Sequence, residues 1–122
     1  MRRILLDEEV SAGVRAYLTG FSAEVVPQIG WAGKTNGELI AAAEEAGFDI
    51  MVTADQNIRY QQNLTNRRIS IVVLTVNHWP TLRANIGRIV TAVETAGVGT
   101  YTTVTFPRPP KRRRPYNPTL ER

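Results

Sequence analysis

A chain of 122 residues with 43% hydrophobic side chains has the length of one domain and enough apolar surface to bury a core without metal or disulfide. It has no cysteine and a single histidine, His78, which excludes a disulfide framework, a zinc-thiolate site, a cysteine nucleophile and a His-rich metal cluster, and makes the reducing cytoplasm the expected compartment. The net charge of +4 is unevenly held: Pro107 to Arg122 carries six basic residues against one acid, while the residues before it hold nine basic and ten acidic groups, a net of −1.

At the start, Met1-Arg2-Arg3 precedes only three apolar residues, Ile4 to Leu6, before Asp7, Glu8 and Glu9 end the run. That is too short for a signal peptide, and no later stretch is long and apolar enough to span a bilayer, so no membrane association is expected. Arg2 to Leu6 suits a buried parallel strand that delivers Asp7 at its carboxyl end. Glu9 to Thr19 spaces Val10, Val14, Tyr17 and Leu18 as an amphipathic helix stopped by Gly20. Glu24 to Ile29 is a weaker second strand. After the glycine-flanked turn Gly30-Trp31-Ala32-Gly33, Thr35 and Glu38 stand in the Thr-x-x-Glu order of a capping box, and a helix should run to Ala46 with Leu39, Ile40, Ala43 and Ala46 inward.

Asp49 to Thr53 is the third strand, followed by Asp55, and Ile69 to Thr75 is the fourth. Between them Arg59 to Leu64 has room for two helical turns. Pro80 begins a last helix through Ala96, and Tyr101 to Phe106 makes a fifth strand rich in β-branched residues. The alternation predicts an α/β fold with a mainly parallel sheet of about five strands and helices on both faces, with an edge strand of either direction. Residues 1–106 read as one domain and 107–122 as a basic, Pro/Arg-rich tail that cannot bury a core and is expected to be extended or disordered.

Open α/β sheets bind ligands outside the carboxyl ends of their strands, so acids that follow apolar runs are candidates by position. Asp7 and Glu8 follow the first strand, Asp55 follows the third, and Glu38 lies in the first turn of the intervening helix. Carboxylates without histidine or cysteine are hard oxygen ligands of the kind that hold Mg²⁺ or Mn²⁺, and such ions suit phosphodiester hydrolysis. Each residue also has a purely structural role open to it. Asp55 suits the cap of the following short helix, Glu38 completes the capping box, Asp7 fits a solvated strand end, and Glu8 and Glu9 fit a helix first turn. Asn57, Arg59 and Tyr60 follow Asp55 closely enough to contact a nucleic-acid backbone or an unstacked base, or to form a solvated helix with Tyr60 packed down. Trp31 and Trp79 read as packing residues and His78 as a loop residue. A phosphoacceptor receiver domain is a weaker alternative, since the only lysines, Lys34 and Lys111, do not follow a late strand.

At Arg2-Arg3-Ile4-Leu5-Leu6-Asp7-Glu8, Gly30-Trp31-Ala32-Gly33, Asn36-Gly37-Glu38-Leu39-Ile40 and Gly47-Phe48-Asp49-Ile50-Met51-Val52-Thr53-Ala54-Asp55-Gln56-Asn57, the chain resembles a family of small PIN-like proteins, over most of residues 2 to 96. The resemblance implies a three-layer α/β/α PIN-like sandwich, descent from Mg²⁺- or Mn²⁺-dependent endoribonucleases, RNA as substrate, and membership in toxin-antitoxin pairs with an antitoxin protein as partner. Asp7 matches the first-strand metal aspartate, Glu8 the acid that follows it, and Asp55 the Thr-x-Asp aspartate. Glu9 stands where the family has asparagine, and Asn36 where many members have an aspartate, which removes one carboxylate ligand while leaving a carbonyl that can still coordinate. The site expected from sequence is thus Asp7, Glu38 and Asp55 as catalytic acids, Glu8 with them as a metal ligand, and Asn57, Arg59, Tyr60, Arg112, Arg113 and Arg114 on nucleic acid. The alternative is an inactive module that binds an antitoxin, a second copy of itself or nucleic acid.

Overall fold

The computed structural model of the chain describes residues 2–58 and 67–107, and within them five strands pair into one all-parallel sheet. The strands are β1 (Arg3–Leu6), β2 (Ser22–Val25), β3 (Ile50–Thr53), β4 (Ser70–Leu74) and β5 (Tyr101–Val104), in the order β2-β1-β3-β4-β5. The fold is therefore α/β, and the edge strand β5 is parallel like the rest. The central strands are apolar on both faces because both are covered: every residue of β3 and β4 is buried. The expected helix at Arg59 to Leu64 and the tail from Arg108 onward lie outside the described residues.

Alternating strand residues point to opposite faces, and the helices divide accordingly. On one face Ile4, Leu6, Val52, Val72, Leu74 and Val104 meet Val10, Val14 and Leu18 from one connection and Leu82, Ile89 and Val93 from another. On the other face Leu5, Met51, Ile71 and Val73 meet Leu39, Ile40 and Ala43 of α1 (Asn36–Glu45). These layers fix the relative hand of the crossovers. The β1-to-β2 and β4-to-β5 connections cover the same face while stepping across the sheet in opposite directions, so they have opposite hands. A uniform hand would leave the first face covered by one short 3-10 helix; the reversal brings a full α-helix onto it.

Three expectations change. The segment expected as an amphipathic helix over Glu9 to Thr19 is a 3-10 helix at Ala12–Tyr17, because Ser11 gives no side-chain cap and Gly13 interrupts a short stretch. The second strand ends at Val25, and Val26–Ile29 with Pro27 at its start makes a second 3-10 turn closed by Gly30 at φ 78°. The single helix expected from Pro80 to Ala96 is two, α2 (Trp79–Ala84) and α3 (Ile86–Thr95), separated at Asn85, whose side-chain amide donates to the Thr81 carbonyl at 2.9 Å. The break lets α2 dock separately: the Trp79 indole lies against Gly13, where an added Cβ would stand 2.6 Å from the ring, and 6.1 Å from the Tyr17 ring.

The capping box at α1 forms as expected, with Thr35 Oγ1 accepting from the Glu38 amide at 3.3 Å. The helix closes as a Schellman turn, Gly47 at φ 87° donating to the Glu44 carbonyl and Phe48 to that of Ala43. Arg2 and Arg3, neighbours at the entrance to β1, then reach to opposite faces. Arg2 donates to the carbonyls of Val93 and Ala96 at the end of α3, at 3.1 and 2.6 Å, and Arg3 to that of Ala46 at the end of α1 while its guanidinium lies 4.3 Å from the Phe48 ring centroid. Each cation meets the negative end of a helix dipole. Arg2→Ala and Arg3→Ala should each lower unfolding stability by about 1–2 kcal/mol through lost caps, measured by urea denaturation; a midpoint unmoved in either variant would remove that cap from the forces holding the helices.

Candidate active site

The register that pairs Leu6 with Val52 makes Asp7 and Thr53 the next neighbours along β1 and β3. The ladder continues to that point, with the Asp7 amide donating to the Val52 carbonyl at 2.9 Å. Both side chains are buried, Asp7 to 5% exposure and Thr53 completely, and the Thr53 hydroxyl donates to Asp7 Oδ2 at 2.8 Å. A buried carboxyl needs such a donor, and the same hydroxyl accepts from the Asp55 amide at 3.1 Å, tying the two aspartates through one atom. Asp7 and Asp55 therefore share the crevice between β1 and β3, where the strand order reverses, β1 leading to β2 on one side and β3 to β4 on the other, and where doubly wound sheets bind their ligands.

Asp55 is half-buried and held from two sides. The Asn36 side-chain amide donates to its Oδ2 at 2.6 Å, and the Asn57 backbone amide donates to its Oδ1 at 2.9 Å. Asn36 is the first residue of α1, so the positive end of that helix also faces the carboxylate. The Asp55 to Asn57 contact is the turn-capping geometry that an aspartate in this position readily adopts, and it coexists with the approach to Asp7.

Glu9 is the residue that the sequence reading missed as part of this group. Its carboxyl is pushed above its ordinary value, first by desolvation and then by the negative charges of Asp7, Asp55 and Glu8. Taken as a first-turn residue it should have pointed along a helix; because the 3-10 helix begins only at Ala12, Glu9 instead lies in the turn beside both aspartates. Three consecutive acids after β1 were the available signal. Glu8 is exposed and is one of the charges that raise Glu9. Glu38 is exposed and engaged in the capping box, its Oε1 accepting from the Thr35 hydroxyl at 3.1 Å, and it is not among the charges that act on Glu9. Among the described residues no three acids or histidines are grouped closely enough to hold a metal ion by themselves. Arg59, Tyr60, Arg112, Arg113 and Arg114 lie outside the described residues.

The remaining candidates have structural partners. His78 precedes α2 and shares a hydrogen bond with the Thr81 hydroxyl at 3.0 Å, and Trp31 packs edge-on against Phe48 with ring centroids 5.9 Å apart. A groove of about 430 Å³ runs between α3 and β5, lined by Arg88, Thr91, Thr102 and Thr105 among others, with no acid in its wall. Its lining offers little chemistry, whereas the β1–β3 crevice combines position, burial and charge. No helix among the described residues is long and apolar enough to cross a membrane. No protein-family model, no curated protein and no solved structure matches this chain.

Two outcomes test this geometry. Thr53→Val keeps the volume but strips Asp7 of its donor and the Asp55 amide of its acceptor, so thermal unfolding should show a loss of about 1–3 kcal/mol; an unchanged midpoint would mean that the hydroxyl is not the link. For Glu9, a raised pKa in the folded state contributes stability that is fully present below its ordinary 4.5 and lost as pH rises through the raised value. Glu9→Gln should accordingly melt higher than the parent at neutral pH, with the gap closing near pH 4, and a gap independent of pH would contradict the cost of ionising Glu9 in the folded state.

Proposed function

We propose that this chain is a PIN-like, metal-dependent ribonuclease whose centre is the Asp7–Asp55 pair, with Mg²⁺ or Mn²⁺ as the ion. The observation that carries the reading is the meeting of these two aspartates at the β1–β3 crevice, tied through the Thr53 hydroxyl. Magnesium is commonly held by one or two carboxylates, completing its shell with waters and substrate phosphate oxygens, so two aspartates suffice without a third protein acid. The donor set fits as well. Each carboxylate keeps lone pairs beyond the hydrogen bonds it accepts, and the negative charges of Asp7, Asp55 and Glu8, which add to desolvation in raising Glu9, are of the kind that a divalent cation relieves.

When bound, such an ion supplies a more acidic water and charge that offsets the phosphoryl oxygens. The protein's part is to hold the ligands still. Thr53 fixes Asp7, while Asn36 and Asn57 fix Asp55 from opposite sides, so neither carboxylate needs to reorganise as substrate arrives. RNA as the substrate, and an antitoxin protein as a regulator, follow from the resemblance of the sequence to PIN-like proteins.

A second reading, an inactive module that pairs with an antitoxin, with itself or with nucleic acid, is favoured by one contact. Asn36 donates to Asp55 Oδ2 where a carboxylate would add a ligand, and Glu38 is engaged in the cap. Calorimetric titration with Mn²⁺ separates the two. The parent should bind, Asp7→Asn and Asp55→Asn should each weaken binding by about tenfold or more, and Asn36→Asp should tighten it; RNA cleavage should fall with the first two. A parent that takes up no Mn²⁺ and cuts no RNA would leave the partner-binding module.

A further inference from the structure

A sheet that does not close on itself has two outer strands with unpaired backbone groups, and here the two differ in how they are guarded. Both are four residues long. β2 carries Glu24 and passes directly into the Val26–Ile29 turn with Pro27 at its start, so an acid and a proline blunt that side. β5, Tyr101-Thr102-Thr103-Val104, holds neither charge nor proline, and among the described residues no strand pairs beyond it. Its ladder with β4 uses the carbonyls of Thr100 and Val104, which accept from the Ile71 and Thr75 amides at 2.9 and 3.1 Å. Backbone groups alternate sides along a strand, so the exposed Thr103 turns both its amide and its carbonyl away from β4.

The helix beside this edge carries charges of both signs in a symmetric arrangement. Arg88, Thr91 and Glu94 are exposed on one side of α3, with the cation and the acid at equal distances on either side of the threonine. Arg88 rests on the Thr105 carbonyl by a long bond of 3.5 Å. α3 and β5 run in opposite directions from a shared turn, where the Thr100 hydroxyl donates to the Gly97 carbonyl at 2.8 Å. From that turn Thr91 lies six residues back along the helix, about 9 Å, and Thr103 lies three residues forward along the strand, about 10 Å. The two threonines therefore stand at one height, and a two-fold axis normal to the sheet beside Thr103 also passes beside Thr91.

We propose that the β5 edge is a homodimer interface, at which a second copy of this chain adds its own β5 antiparallel, Thr103 opposite Thr103, to make one continuous sheet through both molecules. The paired Thr103 residues exchange two amide-to-carbonyl hydrogen bonds. Each Arg88 meets the partner's Glu94, and the partner's α3 closes over the groove of about 430 Å³ that Arg88, Thr91 and Thr102 line. Charge complementarity selects a second copy over an unrelated strand, because one face offers both signs at positions that a two-fold axis interchanges. The interface goes beyond the ribonuclease reading and does not depend on it, since antiparallel pairing sends the two Asp7–Asp55 pairs to opposite ends of the joined sheet.

Sedimentation velocity on the full chain tests the interface. The parent should pass from monomer to dimer as its concentration rises through the micromolar range, and a chain that stays monomeric up to about 1 mM would overturn the proposal. Thr103→Pro removes an outward amide and no ladder bond, so circular dichroism should show the fold kept while the dimer is lost. Arg88→Glu and Glu94→Arg each set like charges opposite one another and should weaken self-association by about tenfold or more. Mixed together, these two variants should form a heterodimer in which both charge pairs attract again, a readout that holds whether or not the proline variant folds. A dimer indifferent to all three substitutions, or charge variants that mixing fails to rescue, would put the contact on another face and refute the β5 edge.

Discussion

Parallel pairing is the constraint from which most of the molecule follows. When all five strands run one way, every strand exit lies at one edge and every entrance at the other, and the helices that return the chain point their carbonyl ends toward the entrances. The molecule is thereby polarised without any special sequence. Arginines collect where helix carbonyls end, as Arg2 and Arg3 do, and carboxylates collect where helix amino ends and strand exits meet, as Asp55 does beside the first residue of α1. The acidic crevice and the basic caps are two consequences of one arrangement.

Within that frame, Thr53 turns position into geometry. A strand exit alone would leave two aspartates near each other but independently mobile. Its hydroxyl accepts from one backbone and donates to the other side chain, so the spacing of the pair is set by the sheet itself and not by loop conformation. The cost is a polar cluster inside the β1–β3 interface, acceptable because Asp7 Oδ2 and the Asp55 amide are both satisfied.

What the sequence made legible is what local chemistry determines. Strands β3 and β4 are readable because burial on both faces demands unbroken Ile, Val, Leu and Met; α1 is readable because Thr35 and Glu38 cap it; Asp7 and Asp55 are readable because they end apolar runs. The remainder depends on residues far apart in the chain. Nothing near Asn85 says that its amide will hold the Thr81 carbonyl and divide a helix, since the division is worthwhile only once Trp79 can settle on Gly13. Thr53 looks like one more β-branched strand residue until the register sets it opposite Asp7. Glu9 reads as part of a helix start because the acids of a first turn and the acids of a site look alike in one dimension, and only the late beginning of the 3-10 helix distinguishes them.

The contacts of Arg2 also bear on how the molecule comes to be assembled. Its guanidinium meets carbonyls 91 and 94 positions later, and β1 completes its central place only when β3 arrives from some 46 positions away. During synthesis the first strand can join β2 early, through a short connection, but its inner edge and its cap wait for segments that leave the ribosome much later. An apolar Ile-Leu-Leu edge therefore stays unpaired on the nascent chain until β3 has followed it out, and in that interval it is the segment most open to wrong pairing.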